Sequence, residues 1–230
     1  MENGYKPVKY GQCWVFSGIL TTLLRALGIP ARSVTNFQSA HDTDNTMTID
    51  VYVDKMGNEH MKSDSCWNFH VWNECWLNRR DLPDGYAGWQ AVDATPQEDA
   101  NGISQCGPAP VSAIKKGETF VNYDTNFVYG EVNADRCTWL CEVGDDDSIF
   151  PVALTSRRRD AVGMFISTKA PGVGNFERED ITDSYKFEEG TSEEKASFEK
   201  AFSYTGMRPN RSYMKNNLIG ENKTDFKISK

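Results

Sequence analysis

The sequence predicts an α+β fold on three observations: one early apolar segment at helical spacing, a succession of short strand-like segments after it, and an acidic helical segment near the end. Residues 12–27 set Phe16, Leu20, Leu23, Leu24 and Leu27 at helical spacing, and Gly28-Ile29-Pro30 supplies a stop signal. They read as a buried helix with Cys13 at its start. Ala31 to Phe37 is strand-like, and Ile49, Val51 and Val53 alternate ahead of the turn-forming Met56-Gly57-Asn58. The next strand, Cys66 to Trp72, has period 2, which puts Trp67, Phe69 and Val71 on one face and Asn68, His70 and Trp72 on the other. Trp89 to Asp93 opens after Gly85-Tyr86-Ala87-Gly88 and groups Trp89, Ala91 and Asp93. Phe127 to Val132 and Val162 to Thr168 complete an expected antiparallel sheet. Ser192-Glu193-Glu194 leads into a helix over Lys195 to Phe202. Residues 206–230 are polar, with little to bury, and are expected to be disordered, leaving 1–205 as the folded unit.

The chain has 230 residues, enough to bury a core of its own. Its 33 acidic residues against 25 basic ones give a formal net charge of −8, spread along the sequence. That balance argues against nucleic acid as a partner, because such affinity rests on neutralising phosphates, and it favours cations. The apolar stretch Trp14 to Leu20 is broken by Ser17 and Gly18 and falls short of the ~18–20 residues of a membrane span. Met1 to Tyr10 lack the pattern of a signal peptide. Cysteines 13, 66, 75, 106, 137 and 141 include no CxxC pair, so they read as reduced thiols in a cytoplasmic protein. Cys137 and Cys141 make a poor zinc pair, Asp145-Asp146-Asp147 reads as a surface loop, and Arg157-Arg158-Arg159 as a solvated one.

One constellation carries chemistry. Cys13 stands where the polar turn Tyr10-Gly11-Gln12 meets an apolar helix, whose unpaired N–H groups favour a thiolate. A thiolate needs a proton shuttle, and His70 is the histidine held in an aromatic-flanked strand. Asp93 ends a strand able to pair beside it and would orient the ring by accepting the Nδ1 proton. Each residue also has a plain reading: a small hydrophobe, a satisfied half-core histidine and a turn initiator.

The local sequences go further. YGQCWVF at 10–16, LGIPAR at 27–32, NFQSAHDTD at 36–44, WNFHVWNE at 67–74, DLPDGYAGWQAVDATPQE at 81–98, CGPAPV at 106–111, EVNAD at 131–135 and DITDSYKFEEGTSEE at 180–194 closely resemble the catalytic core of the animal transglutaminases. The resemblance implies a papain-like cysteine nucleophile fold and a calcium-dependent protein-glutamine γ-glutamyltransferase. The Cys of YGQCWVF is Cys13, the His of WNFHVW is His70 and the Asp of WQAVDATPQE is Asp93. The implied partners are proteins carrying reactive glutamine and lysine, or other primary amines. Trp67 matches a tryptophan lining the family's lysine tunnel; its alternative role is core packing.

Two implied calcium sites follow. Asn133 and Asp135 of EVNAD, with Glu189 of EEG and Glu194 of SEE, match the family's main site, while Glu189 and Glu194 also suit plain helix N-terminal charges. Asp42, Asp44, Thr46, Thr48 and Asp64 match a second site, with Thr46 where members carry Asn; a solvated acidic loop is the alternative. The upstream part of the core, its second tunnel tryptophan and a calcium site there have no counterpart in these residues. Exposed apolar surface on the helix of Cys13 and weak catalysis by the chain alone are therefore expected. The alternative functions are a cysteine hydrolase, either deamidase or protease, and a catalytically idle scaffold.

Overall fold

The computed structural model describes residues 4, 6, 9–60, 64–97, 99–100, 103–172 and 174–205. Helix α1 (Cys13–Ala26) opens the fold, followed by strands β1 (Ala31–His41), β2 (Thr48–Val53), β3 (Glu59–His60), β4 (Ser65–Leu77) and β5 (Gly88–Asp93). The short pair β6 (Asp99–Ala100) and β7 (Ile103–Ser104) precedes β8 (Cys106–Pro110), helix α2 (Val111–Lys115) and helix α3 (Thr125–Asn133). Strands β9 (Asp135–Val143), β10 (Ile149–Arg158), β11 (Phe165–Lys169) and β12 (Arg178–Asp180) lead to helices α4 (Thr182–Tyr185) and α5 (Ser192–Ser203). The expected tail from 206 lies outside the described residues.

Six strands form one sheet in the order β12-β11-β1-β4-β5-β8, and every pairing in it is antiparallel. A second sheet, β10-β9-β2-β3, is mixed, since β2 and β9 run parallel. The all-antiparallel expectation therefore holds for the larger sheet and the short β6-β7 pair and fails for the mixed sheet. The core lies on the face covered by α2 and α3, where Val34, Trp72, Ile114, Phe127, Val132 and Ile166 pack together.

The helix over 12–27 docks by an unexpected face. Its buried side chains are Ser17 and Thr21, which with Cys13 fall four residues apart and so share one stripe. Ser17 Oγ donates to the Trp72 carbonyl at 2.9 Å. Asn73 Nδ2 donates to Thr21 Oγ1 at 2.6 Å and to the Ser17 carbonyl at 3.0 Å. This polar seam fixes α1 on β4, while Trp14, Ile19, Leu23 and Leu27 stay exposed, Leu27 by 77%. The buried-helix reading is thus corrected; apolar exposure on this helix is what the fold shows.

Residues 127–132, read as a strand, lie within helix α3. Seven of its residues are buried, including Phe127, Val128, Tyr129 and Val132. A helix covered on nearly all sides has no polar face and so shows no helical period. The strand expected over Val162 to Thr168 begins later, at Phe165, because Gly163 turns the chain at φ +61° against the Val132 carbonyl. Strand β4 runs on to Leu77. Arg157 lies in β10 with its side chain 15% exposed against Asp135, so it is no solvated loop.

Candidate functional site

Cys13 is the first residue of α1, whose first turn carries neither an acidic side chain nor a side-chain cap. The open N–H groups there favour negative charge. Burial pushes the Cys13 thiol up, but the hydrogen bond and charge of His70, with the backbone N–H groups of Val71 and Trp14, bring it below the ordinary thiol range. The docking seam sets this contact, because Ser17 and Thr21 hold the same stripe of α1 on β4 one and two turns further on.

His70 is fully buried on β4. Its Nε2 lies 2.7 Å from Asp93 Oδ2, so the expected Nδ1 contact is corrected to Nε2. Asp93 Oδ1 in turn accepts from the Thr95 backbone N–H at 2.8 Å, which fixes the carboxylate in place. Burial of the ring pulls His70 down, yet hydrogen bonds to Asp93 and Cys13 and the charges of Glu131 and Asp93 prevail and push it up to about 10. A lowered thiol against a raised imidazole favours a thiolate–imidazolium pair.

Three residues around this ring escaped the sequence reading. Gln97 Nε2 donates to Asp93 Oδ2 at 2.9 Å and to Glu131 Oε1 at 3.1 Å. Glu131, on α3, puts Oε1 3.7 Å from His70 Nε2 and is 3% exposed. His41, at the end of β1, packs its ring 5.4 Å from Trp67 and 5.8 Å from Phe127. Each lies inside a motif used for the resemblance (DATPQE, EVNAD, SAHDTD), and the buried α3 hid the facing of Glu131.

Trp67 stands edge-on to His70, with centroids 5.1 Å apart and planes at 83°. Strict alternation had set the two on opposite faces. Alternation fails here, since Asn68 and Phe69 are both exposed and His70 and Val71 both buried. The opposing strand carries Gln38 at φ +56°, a left-handed backbone within β1.

The two implied calcium clusters differ in assembly. Asp42, Asp44 and Asp64 bring carboxylate oxygens within 4.8 Å of one another. Burial, then a hydrogen bond with Asp44, pushes Asp42 up to about 7. Asp42 also receives the backbone N–H groups of Thr46 and Met47 at 3.2 and 2.7 Å, and the hydroxyls of Thr46 and Thr48 meet at 2.9 Å. Asp50, absent from the sequence reading, lies outside that group but feels the charges of Asp64 and Asp44; burial raises it, and Trp139 Nε1 donates to it at 2.8 Å. Crowded hard oxygens of one charge fit a divalent cation.

Asn133, Asp135, Glu189 and Glu194 are less gathered. Asp135, Glu189 and Glu194 all act on the Tyr129 hydroxyl, which burial first, then their charges, hold above its ordinary range. Among the described residues their oxygens do not form a group within 4.8 Å. Asp135 instead pairs with Arg157 at 2.5 Å and Glu189 with Lys186 at 2.5 Å. Glu194 Oε2 and Asn133 Nδ2 are buried without a partner. Unpartnered buried carboxylate oxygen and an all-oxygen donor set fit calcium here too.

A helix-borne cysteine against a histidine that a carboxylate backs, beside an antiparallel sheet, defines a protein of the papain-like cysteine nucleophile class. Residues 4–94 match the family described as the transglutaminase-like superfamily. Mouse protein-glutamine gamma-glutamyltransferase 5 is 53% identical over 201 residues, 86% of this chain and 27% of that protein. The human protein-glutamine gamma-glutamyltransferase E is 49% identical over 220 residues, 95% of this chain and 31% of that one. The crystal structure of red sea bream transglutaminase superposes with a TM-score of 0.71 at 44% identity, over 87% of this chain and 29% of that chain. The chain belongs to the transglutaminase family, and it spans under a third of the length of these relatives. No helix among the described residues is long and apolar enough to cross a membrane.

Proposed function

We propose that this chain carries the catalytic core of a calcium-dependent protein-glutamine γ-glutamyltransferase, with Cys13 as nucleophile, His70 as acid and base, and Asp93 as its orienting carboxylate. The observation that carries the reading is the coupling of Cys13 to a buried His70 whose Nε2 is 2.7 Å from Asp93. The Cys13 thiolate attacks the carboxamide carbon of a peptidyl glutamine, forming a C–S bond. The imidazolium of His70 gives its proton to the departing amine, ammonia leaves, and a thioester remains. A lysine or other primary amine then attacks the thioester carbon and His70 takes its proton. The C–S bond breaks, an isopeptide is released, and the thiolate returns.

Asp93 keeps the ring turned with one nitrogen toward sulfur and neutralises the imidazolium as it forms. Trp67, half-buried beside His70, supplies an apolar wall that strips water from the incoming amine; water at that point would give glutamate instead. Asp42, Asp44 and Asp64 with Thr46 and Thr48, and Asn133, Asp135, Glu189 and Glu194, would hold calcium, whose charge would offset theirs.

The test is amine incorporation into a glutamine peptide, followed by mass spectrometry, with and without chelator and beside Cys13→Ala. Isopeptide product that needs both Cys13 and calcium is expected. Deamidation alone, with amine in excess, would make the protein a hydrolase, and indifference to Cys13→Ala would remove the nucleophile.

A further inference from the structure

Two buried carboxylates face one imidazole in this site, although orienting a histidine needs only one. Asp93 is the closer, and Glu131 approaches the same Nε2 at 3.7 Å from a different element, α3. They are not independent, because one amide nitrogen, Nε2 of Gln97, donates to both. Asn36 Nδ2 anchors the Glu131 backbone carbonyl at 2.9 Å, so the end of α3 is tied to β1, the strand beside that of His70. Glu131 therefore sits in a built position. A buried carboxylate is costly unless it is paired and hydrogen-bonded.

We propose that Glu131 is a positioning residue for acyl transfer: a second carboxylate, joined to Asp93 through Gln97, that holds this amide against the His70 ring and keeps the ring's proton in place. Packing between Trp67 and Trp72 already confines the buried ring, and Gln97 Nε2 lies 2.8 Å from the same Nε2 that meets Asp93. The carboxylate from α3 holds that amide at 3.1 Å and adds a second negative charge 3.7 Å from the imidazolium nitrogen. The charged or titratable groups facing His70 are then Cys13 from α1, Asp93 from β5, Glu131 from α3 and His41 from β1. Cys13 as thiolate, Asp93 and Glu131 favour the imidazolium, while His41 when protonated opposes it. The inference rests on the pairing of Cys13 and His70 proposed above.

Nuclear magnetic resonance of His70 ring signals against pH, on the full chain, tests it without any turnover. In the wild type the imidazolium is expected to persist well above the ordinary range. In Glu131→Gln, which keeps the shape and removes the charge, the midpoint should fall by about 1–3 pH units. Glu131→Asp, which keeps the charge but draws it back, should recover part of that fall and serves if Glu131→Gln fails to fold. A wild-type ring that stays protonated while both variants titrate identically would overturn the role of Glu131 and leave the Cys13–His70 pair standing. A wild-type ring that titrates as an ordinary imidazole would overturn both.

Discussion

Asp93 holds His70 through Nε2 at 2.7 Å, on a ring whose charge also lowers the thiol of Cys13. His70 is raised to about 10 in the fold, against about 6.5 in an unfolded chain. A group raised on folding contributes stability that is complete below the unfolded value and is lost as pH climbs through the folded one. The urea midpoint of the wild type should therefore decline between about pH 6.5 and pH 10. Asp93→Asn removes the main upward influence and should flatten that decline. The same variant should slow alkylation of Cys13 by iodoacetamide near pH 6 by about 10-fold or more, as the thiol drifts toward an ordinary value near 8.5. Equal slopes in the two proteins would contradict the linkage.

The cluster of Asp42, Asp44 and Asp64 repels itself, and Asp50 adds to the crowding. A cation that binds the fold but not the unfolded chain stabilises by about 2.7 kcal/mol at 100 times its dissociation constant. Calcium should raise the melting temperature, and Asp64→Asn, by removing one of three gathered ligands, should cut that rise by at least half. Calorimetry would show the affinity lost. A rise that Asp64→Asn leaves intact would move the stabilising site elsewhere.

How much of this was legible in the residues follows from how each one signals. The strands of His70 and Asp93 carry local composition and turn signals, and the pairing of the two followed from adjacency of β4 and β5, although alternation fails at His70 itself. Cys13 read correctly as a helix start. The docking face of α1 did not, because hydrophobic spacing drew attention to Leu20, Leu23 and Leu24 while the seam is made by hydroxyls at Ser17 and Thr21. Helix α3 was hidden by its burial on nearly all sides, and with it the contact of Glu131 to His70. Ion pairs across 22 positions, such as Arg157 with Asp135, leave no local pattern at all.

Arg157 and Lys186 are cations already seated on the carboxylates of Asp135 and Glu189. Lys186 Nζ also donates to the carbonyls of Val132 and Val162, at 3.2 and 3.1 Å, so its ammonium occupies an oxygen cage beside Asn133. Calcium at Asn133, Asp135, Glu189 and Glu194 has to draw both carboxylates away. Neutralising either cation should tighten calcium by about 10-fold or more in titration calorimetry, consistent with a coupling of ~1.4 kcal/mol. In the wild type, acylation of Lys186 by a soluble amine reagent, followed by mass spectrometry, should be slow without calcium and faster with it. The cleft of about 450 Å³ that Lys186 lines gives the released ammonium a route to solvent. Weaker binding in a folded Lys186→Met variant would show that the lysine supports the site instead of occupying it.

Asn73 ties the seam between α1 and β4 to the position of Cys13. Its amide nitrogen donates to Thr21 Oγ1 and to the Ser17 carbonyl, and all three groups are buried. Asn73→Leu removes two buried hydrogen bonds, at about 0.5–1.5 kcal/mol each, because the Ser17 carbonyl still accepts from Thr21 Oγ1 and that hydroxyl still meets Ser33 Oγ. The apolar packing of the helix is partial, because Phe16, Leu20 and Leu24 are half-buried while Trp14, Ile19 and Leu23 are exposed. The loss should therefore appear as a shift of α1 along β4 as well as in the urea midpoint. Cys13 lies two turns from Thr21, so a small rotation there lengthens its contact with His70. The expected result is a folded protein with a lower urea midpoint and a Cys13 alkylation profile moved toward that of a free thiol. Thr21→Val, which removes one hydroxyl yet keeps the shape, should do the same to a lesser degree. A lowered midpoint with an unchanged alkylation profile would mean that the seam supports the fold and that the N-terminus of α1 is held by other contacts.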